Sequence, residues 1–192
     1  MKAAVAVVAA IAISIAGGAC HRTSSSQSSN TSSSSTQAAD DKAGDIAFLQ
    51  NMVAHHQQTL ELAALVPAQS SNPAMVLLAE QLAAQQRTEM QGCQAQLLQW
   101  EVPGAVPPGP EALAAIPGMV DQGTVDQLRG LHGPAFDKLW LQTMIPHYRG
   151  AITLAHNEIQ DGDSADVISI AQSLLPRQQD QIDQMTSALE AL

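Results

Sequence analysis

This chain carries a second copy of part of itself. Residues 45 to 97 recur without a gap 92 positions later, with eleven identities over 53 aligned positions. Asp45, Leu49, Gln50, Met52, His55, Leu62, Ala63, Ala79, Leu82, Gln86 and Leu97 meet Asp137, Leu141, Gln142, Met144, His147, Leu154, Ala155, Ala171, Leu174, Gln178 and Leu189. A duplicated unit restricts the fold to arrangements in which each copy buries its apolar face against the other. The polar residues kept at positions that otherwise read as core are Asp, Met, His and Gln.

Each copy reads as two helices. In the first, Phe48, Met52, His55, Thr59, Leu62 and Val66 recur at steps of three and four, beside a second stripe of Leu49, Val53, His56, Leu60 and Ala63. Two adjacent stripes make a broad buried face with a helical period. The later copy repeats the pattern with Trp140, Met144, His147, Ala151 and Leu154. Ser71-Asn72-Pro73 and Asp161-Gly162-Asp163-Ser164 supply the caps and turn residues that start the second helix of each pair. The inner stripe of those second helices holds Leu82, Gln86, Met90, Cys93 and Leu97 in one copy, and Leu174, Gln178, Ile182, Met185 and Leu189 in the other. No segment alternates with a period of two. The expected fold is all-α, a four-helix bundle of two duplicated helical hairpins over 44–192. The first hairpin spans 44–100, a Pro-rich crossover 101–133 and the second hairpin 134–192. Five prolines from Pro103 to Pro117 argue against a regular element across most of that crossover, with a short helix expected near Thr124 to Arg129.

The N-terminal 43 residues belong to a different class. Met1-Lys2, the apolar run Ala3–Ala16 and Gly17-Gly18-Ala19 have the charged start, short apolar core and small-residue exit of a secretory signal, residues 1–20. Cys20, directly after Ala19, sits where a bacterial lipoprotein box carries its lipidated cysteine, so the expected destination is the cell envelope with a lipid anchor in the membrane. Residues 21–43 are dominated by Ser, Thr and Gln, which bury too little apolar surface to offset the entropy of ordering, and read as a tether. His21 lies in it. With a net charge of −10, the chain repels phosphate backbones and excludes nucleic acid as a partner, while a cation is compatible. Once Cys20 is lipidated, Cys93 is the one remaining thiol, either buried and inert, a soft metal ligand or an intermolecular bridge.

Met52 and His55 are three residues apart, as are Met144 and His147, so each copy sets a thioether and an imidazole one turn apart on one helix face. Met90 and Cys93 repeat that spacing, and Met185 is the duplicate of Cys93. Soft sulfur and borderline nitrogen donors favour copper, above all Cu(I), over hard ions. The structural alternative is that the methionines fill core and the histidines are bonded by neighbours such as Gln86 and Gln178. His56 stands about 100° around the helix from His55 and is replaced by Tyr148 in the second copy. Met119, His156 and His132 are weaker candidates. Asp45 and Asp137 read as first-turn or capping carboxylates of their helices, or as electrostatic partners of a bound cation.

Phe48-Leu49-Gln50-Asn51-Met52-Val53-Ala54-His55-His56 and Phe136-Asp137 through Met144-Ile145-Pro146-His147 resemble the two halves of the "domain of unknown function 305" family. That resemblance covers about 44–192. It implies a ferritin-like four-helix bundle, found in exported bacterial proteins, with repeated Met-x-x-His-His signatures and, in some members, a link to copper. The positions it designates are Met52, His55, His56, Met144 and His147, with Met90 and Met185 beside them. Here Tyr148 stands for a histidine, and Pro146 interrupts the second signature. The resulting expectation is a non-enzymatic, copper-binding envelope protein. A structural lipoprotein without metal is the alternative. A di-metal carboxylate oxidase needs Glu-x-x-His on two helices, and no Glu in this chain is followed three places later by His.

Overall fold

The structure is a computed structural model that describes residues 31–102 and 109–192, with side chains from residue 42 onward. The segment expected to be a signal, Cys20 with its expected lipidation, residues 21–30 and prolines 103, 107 and 108 lie outside the described residues. Among the described residues seven helices follow in order: α1 (Thr31–Ala63), α2 (Val66–Gln69), α3 (Pro73–Gln99), α4 (Pro110–Ala115), α5 (Gln122–Gly130), α6 (Gly133–Asp161) and α7 (Ala165–Glu190). Among the described residues there is no strand. The four long helices form the bundle: α1 packs on α3 and α6, and α7 packs on α6 and α3.

The duplication sets the direction of the helices. Trp140, near the start of α6, donates its indole N–H to the Leu62 carbonyl at the end of α1, 2.9 Å away. At the other end Asp45 of α1 accepts from the amides of Asp163 and Ser164, just after α6, both at 3.0 Å. Helices α1 and α6 are therefore antiparallel, and the crossover from α3 to α6 must travel the length of the bundle. It does so along the α1–α6 face. Gln58 holds it from one side, donating to the Val120 carbonyl and accepting from the Val120 amide, each at 2.8 Å.

Local signals behave as the sequence suggests at the second helices. Asn72 caps α3 by accepting from Ala74 N at 3.0 Å, ahead of Pro73 at the first helical position. Ser164 caps α7 through Val167 N. Helix α1 starts at Thr31, within the stretch read as tether; once a helix is nucleated, each further residue adds one hydrogen bond, and Ser and Thr are only mildly unfavourable. Two expectations change. The crossover contains α4, because Pro110 occupies a first-turn position, where a missing amide costs nothing. Asp45 does not open its own helix: it lies fully buried within α1 and caps the opposite hairpin.

The core divides into two apolar clusters. One gathers the end of α1 with the start of α6: Leu62, Val66, Phe136, Trp140, Leu141, Met144 and Tyr148, closed by Leu82 of α3 and Met185 of α7. The other gathers the start of α1 with the end of α6: Phe48, Leu49, Met52, Ala151, Leu154 and Ala155, closed by Cys93, Leu97 and Leu174. In sequence, the buried polar residues His55, His56, Thr59, Gln86, Glu89, Gln178 and Gln181 fall between the two sets, and His147 lies at their border, next to Tyr148. The bundle thus has a polar waist.

Candidate metal centre

On the α3–α7 side the waist reflects the duplication directly. Gln178 donates to Glu89 Oε2 at 3.0 Å and Gln86 to Gln181 Oε1 at 3.3 Å. Because residues 86 and 178 are duplicates, as are 89 and 181, these two bonds are the same contact made twice. The repeated glutamines thus pair the second helices with each other and hold the buried Glu89 carboxylate. Gln178 makes no imidazole bond, while Gln86 lies beside His56 and opposes the fall of its pKa without reaching full hydrogen-bond geometry. Burial pushes the Glu89 carboxyl up, against the opposing pull of its Gln85 contact and of Arg177, whose guanidinium stands 4.0 Å away.

On the α1–α6 side the imidazoles of His55 and His147 meet, with His56 near enough for its charge to act on theirs. The rings of His55 and His147 stack with centroids 3.8 Å apart and planes at 15°. Both are enclosed, as is His56. Desolvation is the main reason all three are neutral: it pulls His56 and His147 down to about 4 and His55 well below its ordinary value, aided for His55 by the neighbouring rings. A neutral imidazole offers a lone pair to a metal, so the three side chains stand in the protonation state a ligand requires.

The crossover orients two of those rings. His147 Nδ1 lies 2.9 Å from the Gly118 carbonyl. A carbonyl only accepts, so Nδ1 carries the proton and Nε2 holds the lone pair. The Pro117 carbonyl lies beside His55 and opposes the fall of its pKa. Both carbonyls reach the site because Gly118 takes a positive φ of 81° and because Gly150 leaves room for the loop against α6. Neither glycine nor Gln58 was singled out by the sequence; their only signal is a helical glycine in the second copy where the first has Gln58.

Several of these polar atoms have no partner. His55 Nε2, both nitrogens of His56 and the Tyr148 hydroxyl are buried without a hydrogen bond. Orphans of this kind ordinarily mark a water, an ion or a strained site. The arrangement is nevertheless not a finished coordination shell. Stacked rings hold their lone pairs in parallel planes that do not converge, and among the described residues no group of three or more His, Cys, Asp or Glu is placed to hold a metal ion.

The other candidates distribute around this centre. Met52 and Cys93 lie buried in one apolar cluster and Met144 and Met185 in the other, on either side of the imidazoles, with Met90 half-buried against the first. The histidines converge and the sulfurs divide. The Cys93 thiol is pushed up to about 12 by burial and by the Glu89 charge, as expected of an inert buried cysteine. Met119 packs against the cluster that holds Met52 and Cys93, while His132 and His156 are exposed. Asp137 is buried like its duplicate Asp45, yet its Oδ1 finds no partner. The position equivalent to Ser164 is Asn72, whose amide is already given to Ser70 Oγ at 3.1 Å.

A family model described as "Domain of unknown function (DUF305)" matches residues 45–189. The chain belongs to the DUF305 family. Among solved structures it is similar to a DUF305 fragment from Deinococcus radiodurans, with 27% identity and a TM-score of 0.72 over 78% of this chain and 97% of that one. The DUF305 protein of Streptomyces coelicolor is similar at 23% identity and a TM-score of 0.69, over 78% and 94% of the two chains. CopM in its Cu(II)-bound form follows the same fold at 22% identity and a TM-score of 0.65, over 77% and 96%. Among curated proteins nothing matches. As DUF305 proteins of known structure do, this chain folds as a helical bundle.

Proposed function

We propose that this DUF305 chain is an exported, non-catalytic copper-binding protein of the cell envelope, which takes the ion as cargo at the waist of its bundle. His55, His56 and His147 are the nitrogen donors, and the flanking Met52 and Met144 offer sulfur. The observation that carries the proposal is the contact of two buried, neutral imidazoles with a third nearby, His55 Nε2 and both His56 nitrogens being without a well-formed hydrogen bond. CopM, which shares the fold, is known in Cu(I)- and Cu(II)-bound forms, and that likeness supports copper as the ion. Neutral nitrogen with thioether sulfur suits Cu(I). Binding requires the stacked rings to turn until their lone pairs face one point. Export and anchoring rest on the N-terminal signal and Cys20.

A second reading keeps the fold and drops the ion: an exported helical scaffold whose Met and His side chains are packing. The full enclosure of Met52, His55, Met144 and His147 favours it. Anaerobic Cu(I) titration against a competing chelator separates the two. The copper reading expects stoichiometric binding that disappears in His55→Ala/His147→Ala together with a rise in Tm on adding Cu(I) to the unaltered protein. Equal, weak binding by both proteins and an unmoved Tm leave the scaffold.

A further inference from the structure

One buried hydroxyl touches the metal-facing side of the imidazole pair. Thr59 Oγ1 lies 2.9 Å from His147 Nε2 and 3.2 Å from the carbonyl of His55, one turn earlier in its own helix. A threonine hydroxyl has one proton, so it donates to one of these acceptors at a time. Nδ1 of His147 gives its proton to Gly118, which leaves Nε2 of the neutral ring as an acceptor, and Thr59 fills it at the shorter distance.

The duplication supplies an internal control. The residue equivalent to Thr59 is Ala151, which has no hydroxyl, and the ring equivalent to His147 is His55. His55 Nε2 is an orphan. One member of the pair is therefore capped and the other open, and the difference tracks a single oxygen.

We infer that Thr59 is a positioning latch for the metal centre: its hydroxyl occupies the coordinating lone pair of His147 in the ion-free protein and releases it by turning to the His55 carbonyl. The inference rests on the copper reading of this site. The exchange balances without loss of a proton. The ion takes the Nε2 lone pair, Nδ1 keeps its hydrogen on Gly118, and the hydroxyl proton moves from one acceptor to the other within hydrogen-bonding reach. Thr59 makes the second helical turn of the signature a closing device, and His55 with His56 the points of first capture.

The test uses the full chain with Thr59→Val, Thr59→Ser and Ala151→Ser. Replacing the hydroxyl by a methyl of the same shape removes the competing bond, and because the His55 carbonyl already accepts within its helix the alternative contact returns little, so Cu(I) binds up to about fivefold more tightly to T59V, the equivalent of one neutral hydrogen bond of ~1 kcal/mol. T59S keeps the wild-type affinity. A151S adds a cap to His55 and weakens binding by a similar factor. A readout that packing alone does not move is the ¹⁵N spectrum of His147 in metal-free protein: the Nδ1–H tautomer in all three proteins, with the Nε2 resonance shifted toward that of a free acceptor in T59V only. Wild-type binding with T59V at or below wild-type affinity, A151S at or above it, or an Nε2–H tautomer overturns the latch while the copper reading stands. Absence of copper binding in every protein, with the tautomer as expected, overturns the copper reading and with it the latch's role in release.

Discussion

Gly150→Ala is the substitution whose cost the structure sets most narrowly. Gly150 is buried in the interior of α6, where alanine is ordinarily the better residue by ~1 kcal/mol. A Cβ built there falls 2.5 Å from Gly118 Cα and closer still to the Pro117 carbonyl, and these are backbone atoms that cannot swing aside. Carbon atoms in contact sit about 3.5–4.0 Å apart, so the loop must retreat by about 1 Å. Overpacking of a filled interior costs ~1–3 kcal/mol. The retreat also stretches the 2.9 Å contact between His147 Nδ1 and the Gly118 carbonyl, and a buried N–H left without its acceptor costs a further ~1–3 kcal/mol. Set against the propensity gain, the net destabilisation is about 1–5 kcal/mol, centred near ~3, or a Tm lowered by about 10 °C at that centre for a domain of this size. Differential scanning calorimetry with Gly92→Ala as the control reads it directly. Gly92 is exposed in mid-α3 with nothing within 4 Å of its added Cβ, so that variant should gain up to ~1 kcal/mol. If G150A matches G92A, the close approach of the crossover to α6, and the positioning of both imidazoles by its carbonyls, is wrong.

Stability should fall on both sides of a mid-pH maximum, for different groups. Glu158, beside Asp45, is held up to about 8 by burial and by the Asp45 carboxylate, against about 4.3 in an unfolded chain. The folded state therefore keeps a proton the unfolded state has released, and stability declines as pH rises from about 4.3 to about 8. His56 and His147, pulled down to about 4 from 6.5, act in the opposite sense: the unfolded state binds more protons, and stability is lost as pH falls from about 6.5 toward about 4. Urea midpoints across pH 4–9 should show both limbs, with the upper one flattened in Glu158→Gln; an unchanged upper limb contradicts the assignment. Asp45→Ala removes two amide contacts across the hairpins and should cost about 1–2 kcal/mol in urea unfolding, whereas Asp137→Asn, whose Oδ1 has no partner, should cost less or stabilise. Comparable losses in the two would mean that the duplicated aspartates do the same work. Cys93 should resist alkylation at pH 8 until denaturant is added; labelling at the rate of a free thiol contradicts its burial.

What the sequence disclosed is what periodicity and duplication encode. The eleven shared positions lead to two hairpins, and the recurrence of His55 as His147 brings those two rings into contact. Short-range chemistry was equally legible: Asn72 before Pro73 and Ser164 after Gly162 cap the helices they precede. The contacts that escaped are those between segments far apart in the chain. Asp45 carries the marks of a first-turn carboxylate, yet the amides it serves belong to residues 163 and 164, because the antiparallel pairing of α1 with α6 sets that turn beside it. Gln86 and Gln178 bond across to each other's helices, with only Gln86 also beside an imidazole, since α3 packs on α7 at the height where Glu89 needs donors. Thr59 looked like one more core position in a stripe, and only its lack of a counterpart at Ala151 distinguished it. The glycines at 118 and 150 are invisible to a search for repeated residues, because the crossover they seat occurs once.

X-ray absorption at the copper edge on Cu(I)-loaded protein tests the central claim, that imidazoles from both copies hold one ion. The account predicts outer-ring scattering from at least two imidazoles, reduced to the level of one or none in His55→Ala/His147→Ala. A shell without imidazole scattering, or one unchanged in that variant, contradicts it.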